Sequence, residues 1–225
     1  MESLKVIVAA RNEADRIGAT IDALRAAFPE AAIFVGDDGS DDDTPSVAMA
    51  HGATVISRGR PHGKGANVTA AATAALDAGD RDRGCALLCD GDLAASAGAL
   101  TRLVDAVETD ECDLAVAAFS RRVGGGVGLA LGFARWSIER RCGFRATAPI
   151  SGQRAMRGEV LRAVLPFADG FGMEIGMTVD AVRAGYRVAE VEVDLEHRAT
   201  GRTLAGFAHR GRQLADFVRV WWSRR

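Results

Sequence analysis

The sequence is poor in the residues that mark several common protein classes. Aromatic residues make up 6% of its 225 positions, with a single tyrosine, and there are five prolines. The four cysteines, Cys85, Cys89, Cys112 and Cys142, form no C-x-x-C pair and match no common zinc spacing, so they read as reduced core or surface residues. A basic excess is also missing. The 28 Lys and Arg face 30 Asp and Glu, for a formal net charge of −2, which argues against a nucleic-acid partner. No apolar run approaches the ~20 residues that cross a bilayer. Residues 1–5 lack the basic start and apolar stretch of a signal peptide, so the expected setting is cytoplasmic, at most peripheral at the inner face of a membrane. No G-x-G-x-x-G follows the first apolar run, which argues against dinucleotide binding.

What remains is ordinary globular material, 48% hydrophobic and 26% charged, long enough for one large domain with a substantial core. Short apolar runs alternate with longer, Ala-rich helical stretches. Strands are expected over 4–10, 31–36, 53–57, 85–89, 114–119 and 187–195. Helices are expected over 17–28, 65–78, 97–107, 133–141, 157–164, 174–184 and about 204–222. Gly124-Gly125-Gly126 reads as a flexible loop. This rhythm implies an α/β fold whose parallel or mostly parallel sheet is covered on both faces.

In open α/β sheets ligands bind beyond the carboxyl ends of the strands. Three polar clusters stand at such ends: Arg11-Asn12-Glu13, Asp37-Asp38-Gly39-Ser40 and Asp90-Gly91-Asp92. Any one of them is explained equally well by a turn or a helix cap. Two carboxylates at i and i+2 can aim at one hard cation, with Gly91 letting the chain turn tightly between them. Mg2+ or Mn2+ takes such oxygen ligands and bridges phosphates. The segment His62-Gly63-Lys64-Gly65 suits a phosphate cradle at a helix start. It is not a P-loop, because Arg58 stands where the first glycine would be and Gly65 follows the lysine.

The order of these segments resembles the family 2 glycosyltransferases and their GT-A relatives, including polyprenyl-phosphate sugar transferases and enzymes similar to glucosyl-3-phosphoglycerate synthase. The matching pieces are residues 6–13, Asp37 to Thr44, Gly63-Lys64-Gly65, Asp90-Gly91-Asp92, Ser151-Gly152-Gln153-Arg154, Gly172-Met173-Glu174-Ile175, and His197 with Thr200-Gly201-Arg202. The resemblance implies a single GT-A domain over 1–225, built on one Rossmann-like, mostly parallel sheet. Residues 1–120 would bind the nucleotide sugar, 121–203 would face the acceptor, and 204–225 would form a C-terminal amphipathic helix.

The resemblance also implies roles. Ala9, Arg11 and Glu13 would contact the base and ribose of a nucleoside-diphosphate sugar, UDP favoured over GDP. Asp38, with Asp37 beside it, would read the base edge, and Lys64 would lie near the nucleotide. Asp92 would bind Mg2+ or Mn2+, Asp90 would bind ribose or the metal through water, and His197 would be a third metal ligand. Arg202 sits in a basic loop placed to cover the diphosphate. Glu174 is the candidate general base or acceptor contact, with Asp169 as a fallback base, and inversion and retention both stay open. The acceptor is unnamed; polyprenyl phosphate and a small phosphorylated molecule both suit.

The last 29 residues are rich in arginine, with Asp216 their sole acid, and their apolar positions recur at helical spacing. That face suits packing on the domain; membrane docking is the alternative. The oligomeric state, a homodimer included, is left open. Two other functions fit parts of the pattern: a silent nucleotide-sugar-binding scaffold, and a sugar-nucleotide pyrophosphorylase. Against the latter stands Ala9-Ala10-Arg11-Asn12-Glu13, where a glycine-rich loop would be expected.

Overall fold

The computed structural model describes residues 4–78, 84–119 and 129–195. The Gly124-Gly125-Gly126 loop, His197, Arg202 and the expected C-terminal helix lie outside the described residues. The elements run β1 (Lys5–Ala10), α1 (Ile17–Ala27), β2 (Ala32–Asp37), α2 (Thr44–Ala50), β3 (Thr54–Ser57), α3 (Lys64–Asp77) and β4 (Cys85–Asp90). A 3-10 segment, Ala94–Leu100, leads into α4 (Thr101–Glu108). Then come β5 (Leu114–Phe119), α5 (Leu129–Cys142), β6 (Arg154–Arg157), α6 (Gly158–Val164), a short 3-10 turn at Gly170–Gly172, α7 (Met173–Arg183) and β7 (Val188–Val193).

The seven strands form one sheet in the order β3-β2-β1-β4-β6-β5-β7. All pairings are parallel except those of β6, which runs antiparallel to both β4 and β5. The interior strands are apolar on both faces because both faces are covered. Val6 and Val8 of β1 look toward α1, α2 and α4; Ile7 looks the other way, toward α3, α6 and α7. A third cluster joins α5 to α7 through Ala134, Ile138, Ile175 and Val179.

Two elements were not expected from the sequence. Helix α2 begins at Thr44 with Pro45 in its first turn, where the acidic run had read only as a turn and cap. Strand β6 occupies Arg154–Arg157, so the helix expected over 157–164 starts at Gly158 instead. The four thiols are free; Cys85, Cys89 and Cys112 are buried and Cys142 is half-buried. Burial pushes the Cys85 thiol up to about 12 and raises that of Cys89 further. Among the described residues no helix is long and apolar enough to cross a membrane.

Candidate active site

The sheet reverses its winding between β1 and β4, since β2 follows on one side of β1 and β4 lies on the other. A crevice forms at such a switch point, beyond the strand ends. Here the three polar clusters meet. The Gly91 N–H donates to the Ala9 carbonyl at 2.8 Å and the Asp38 N–H donates to the Ala10 carbonyl at 3.0 Å, so the exits of β2 and β4 are both pinned to that of β1.

Helix α1 fixes the Asp90-Gly91-Asp92 turn from below. The fully buried Thr20 hydroxyl donates to the Gly91 carbonyl at 2.7 Å and accepts from the Ala94 N–H at 2.8 Å. Arg16 Nη1 donates to the Asp92 carbonyl at 3.1 Å. Gly91 lies in the turn expected from the sequence, and close packing is what requires a glycine there. It is not in the left-handed region, and a Cβ there would lie 3.0 Å from Ile17 Cδ1 and 3.2 Å from the Ala9 carbonyl oxygen. With its backbone held this way, the half-buried Asp92 projects a carboxylate that makes no side-chain hydrogen bond among the described residues.

Asp90 points to the α3 side of the sheet, where it meets Lys64 at the first position of α3. Lys64 Nζ lies 2.8 Å from Asp90 Oδ1 and 3.1 Å from Glu174 Oε1. Gln153 Nε2 donates to Asp90 Oδ2 at 2.8 Å. Burial alone would pull the Lys64 ammonium down, but the carboxylates of Asp90 and Glu174 outweigh it and hold the group above the usual lysine range. The Glu174 side chain is 5% exposed and that of Asp90 33%, so the cluster opens toward Asp90 and is closed by α7. Gly152 completes it by having no side chain: a Cβ would stand 2.7 Å from Lys64 Nζ and 3.1 Å from Asp90 Oδ2. Gly65 is equally constrained, since a Cβ would fall 1.9 Å from the Ala168 carbonyl oxygen, bringing residues 168–172 against the start of α3.

The acidic turn after β2 braces the other side of the crevice. The buried Asp37 carboxylate accepts from the Ser40 and Ser57 hydroxyls, the latter at 3.0 Å. Asp38 accepts from the backbone N–H groups of His62, at 2.7 Å, and Gly63, at 3.1 Å. Each carboxylate oxygen has a second lone pair, so this bracing is compatible with a bound nucleotide. Asn12 adopts a left-handed backbone, φ 56°, and its side chain accepts from the Asp41 N–H at 2.8 Å. The Glu13 N–H donates to Thr44 Oγ1 at 2.8 Å. Thr44's hydroxyl in turn holds the Asp42 carboxyl below its ordinary value. Ala9 and Glu13 are half-buried here and Arg11 is exposed.

The expected residues Ala9, Arg11, Glu13, Asp37, Asp38, Lys64, Asp90, Asp92 and Glu174 therefore belong to one strand-end edge and the helix starts above it. Asp169 is exposed on the neighbouring turn. His197 and Arg202 lie outside the described residues, and among the described residues no group of three His, Cys, Asp or Glu gathers as a metal site. Sequence reasoning missed Thr20, Arg16 and the Gln153–Asp90 contact. Thr20 sits on an ordinary amphipathic helix with nothing in its spacing to mark it, whereas Gln153 lay inside a segment already singled out.

Comparison with known proteins agrees with this geometry. The model of glycosyl transferase family 2 matches residues 5–161. An undecaprenyl-phosphate mannosyltransferase of Micrococcus luteus is 30% identical over 220 residues, covering 88% of this chain and 85% of that protein. Glucosyl-3-phosphoglycerate synthase from Mycobacterium tuberculosis, solved with Mn2+, uridine diphosphate and glucosyl-3-phosphoglycerate, superposes with a TM-score of 0.76 at 27% identity, over 99% of this chain and 80% of that one. The same synthase solved with Mg2+ and uridine diphosphate gives 0.77 at 27% identity, over 99% and 79%. The mostly parallel seven-stranded sheet flanked by helices is thus the GT-A fold that the motif order implied. The chain belongs to glycosyltransferase family 2 and is a glycosyltransferase.

Proposed function

We propose that this enzyme moves a sugar from a nucleoside-diphosphate sugar, a UDP-sugar in the first place, to a phosphorylated acceptor, with Mg2+ or Mn2+ as cofactor. The observation that carries the reading is the cluster of Lys64, Asp90, Gln153 and Glu174 beside Asp92, whose carboxylate makes no hydrogen bond among the described residues. A ring of fixed donors and acceptors, glycine-lined and open on one side, suits a polyhydroxylated ligand. The preference for UDP, and for an acceptor bearing phosphate, is supported by what the synthase and the undecaprenyl-phosphate enzyme bind or act on.

Asp92 and Asp90 present hard oxygen donors at one strand exit, which fits a divalent cation of this class. Asp92 is the main ligand in this reading, with Asp90 next to it and His197 the third. When bound, the cation would neutralise the charge that develops on the leaving diphosphate. The protein's own residues do the remaining work. Asp37 and Asp38 shape the base pocket by holding residues 57–63 in place, while Ala9, Arg11 and Glu13 line its β1 side. Lys64 and Asp90 orient the donor. Glu174 lies in the first turn of α7, with its side chain 5% exposed and Oε1 held 3.1 Å from Lys64 Nζ. We therefore assign Glu174 to holding hydroxyl groups in line rather than to removing a proton.

The test is a thermal-shift panel of UDP-, GDP- and dTDP-sugars with and without Mn2+, because a ligand that binds only the native state raises its stability by mass action. A Mn2+-dependent shift with one nucleotide family, lost in D92A, is expected. An equal shift in D92A removes Asp92 from the metal site, and no shift with any donor refutes the reading. Turnover with undecaprenyl phosphate in anionic vesicles and with 3-phosphoglycerate in solution then separates a lipid acceptor from a small one.

A further inference from the structure

One fully buried cation takes no part in the scheme above. Arg154 opens strand β6 and is 0% exposed. Across the sheet it is in register with Leu88 of β4 and Val116 of β5, and Val116 is in register with Glu190 of β7. These four residues form one row, with Arg154 under α7. Its Nε donates to the Ser151 carbonyl at 2.9 Å and its Nη1 to the Thr178 hydroxyl at 2.9 Å. Thr178 Oγ1 in turn donates to the carbonyl of Glu174 at 3.1 Å. Nη2 has no hydrogen-bond partner among the described residues. Glu190, at the far end of the row, accepts the N–H groups of Thr147 and Ala148, each at 2.8 Å.

A buried guanidinium with one arm unsatisfied is a poor way to stabilise a fold, since desolvation is offset only when every donor is matched. Burial pushes this group down to about 10 against the opposing pull of Glu174 and Glu190. Such a departure from good packing is expected where function requires it. The segment it holds is the one that closes the sugar-facing cluster. Ser151 is its direct partner, Gly152 abuts Lys64 and Asp90, and Gln153 donates to Asp90. Through Thr178 the same fork touches the helix that carries Glu174. We propose that Arg154 is a positioning residue for the donor sugar, locking the Ser151–Gly152–Gln153 segment to α7 so that Gln153, Asp90, Lys64 and Glu174 keep one arrangement. The inference rests on the proposed function.

The experiment compares R154M with wild type in Mn2+, measuring by calorimetry the dissociation constants for UDP and for the UDP-sugar that gives the largest thermal shift. The bare nucleotide reports the β1 and β2 side of the crevice; the ratio of the two constants reports the sugar cluster. R154M is expected to keep its melting temperature or raise it, to bind UDP within twofold of wild type, and to lose about tenfold of the sugar-dependent gain, as for other supporting-shell residues. An undiminished gain overturns the proposal, and so does a parallel loss for both ligands, which would mark a merely structural role. Thr178→Val removes one acceptor of the fork with no change of charge and keeps the test decisive if R154M does not fold: an unaltered gain there also overturns it. Absence of UDP binding by wild type would instead refute the proposed function itself.

Discussion

Replacing Gly152 by alanine puts the cluster of Lys64, Asp90, Gln153 and Glu174 to its hardest test. The added Cβ would sit 2.7 Å from Lys64 Nζ and 3.1 Å from Asp90 Oδ2. Ordinary contact needs about 3.5 Å, so the ammonium must retreat by about 0.8 Å. That carries it from 2.8 Å to beyond hydrogen-bonding range of Asp90 Oδ1 if it withdraws along that line. The clash is with the far end of a flexible side chain, and Gly152 is not in the left-handed region, so no backbone strain follows. Losing one charge-assisted bond costs about 1.5–3 kcal/mol at most, in a half-exposed setting less. The lower entropy of the unfolded alanine chain returns about 0.4–1 kcal/mol. The melting temperature should therefore fall by no more than about 10 °C. Catalysis should suffer far more, because misplacing a positioning group by about 1 Å costs about a hundredfold in rate. Coupled detection of UDP release at saturating donor and Mn2+, alongside a thermal melt, reads both quantities. A G152A enzyme that turns over within threefold of wild type would refute the argument that Lys64 and Asp90 act through this geometry.

Thr20→Val keeps the shape of the side chain but strips the buried Gly91 carbonyl and Ala94 N–H of their common partner; a loss of about 1–3 kcal/mol in urea unfolding is expected, and an unchanged midpoint would mean that the hydroxyl does not hold this turn. At the other end of the sheet, hydrogen bonds from Arg187 hold the Asp113 carboxyl at about 2, with Arg157 adding to the effect. Because its folded value is depressed, Asp113 contributes stability above the ordinary carboxylate range that is lost as pH falls toward about 2. After screening, roughly 1 kcal/mol is expected: D113N should be less stable than wild type by that amount at pH 6 and converge with it at the acid end, and a difference that does not shrink with acid would exclude the linkage. Iodoacetamide at pH 8 should label Cys142 before Cys85, Cys89 and Cys112, which are buried; mass spectrometry of the native protein checks the order.

Most of the sheet was legible because buried parallel strands are short, apolar and separated by helix-length intervals. β1, β2, β4 and β5 all follow that rule, and each ends within a residue or two of its expected limit. β6 was not legible. It reads Arg-Ala-Met-Arg, with a charged residue at each end, and nothing local announces that the first of those charges is buried beneath α7. α2 was hidden for a different reason: its N-terminus lies in a run of aspartates that any turn would also favour. In the candidate site, residue types singled out Asp90 and Asp92 at a strand exit and Lys64 at a helix start, and the fold brings Lys64 against Asp90. The clamps behind them were not legible, because Thr20 and Gln153 act through partners far away in sequence, Gly91 with Ala94 and Asp90 respectively.

The reversed direction of β6 has a consequence for how such an enzyme can change. β1, β2 and β3 reach the crevice edge with their tails, so the loops that follow them are committed to the starts of α1, α2 and α3. β6 reaches that edge with its head, and the chain ahead of the Ser151–Gly152–Gln153 clamp, residues 143–150, enters from α5. Length and composition can vary in that incoming stretch without shifting the registers that join β1 to β2, β3 and β4. Grafting the equivalent stretch from a relative of different specificity, while keeping Ser151, Gly152, Gln153, Arg154 and the residues after them, should transplant selectivity as a unit. The antiparallel strand acts as a socket, and the segment ahead of it as an exchangeable plug.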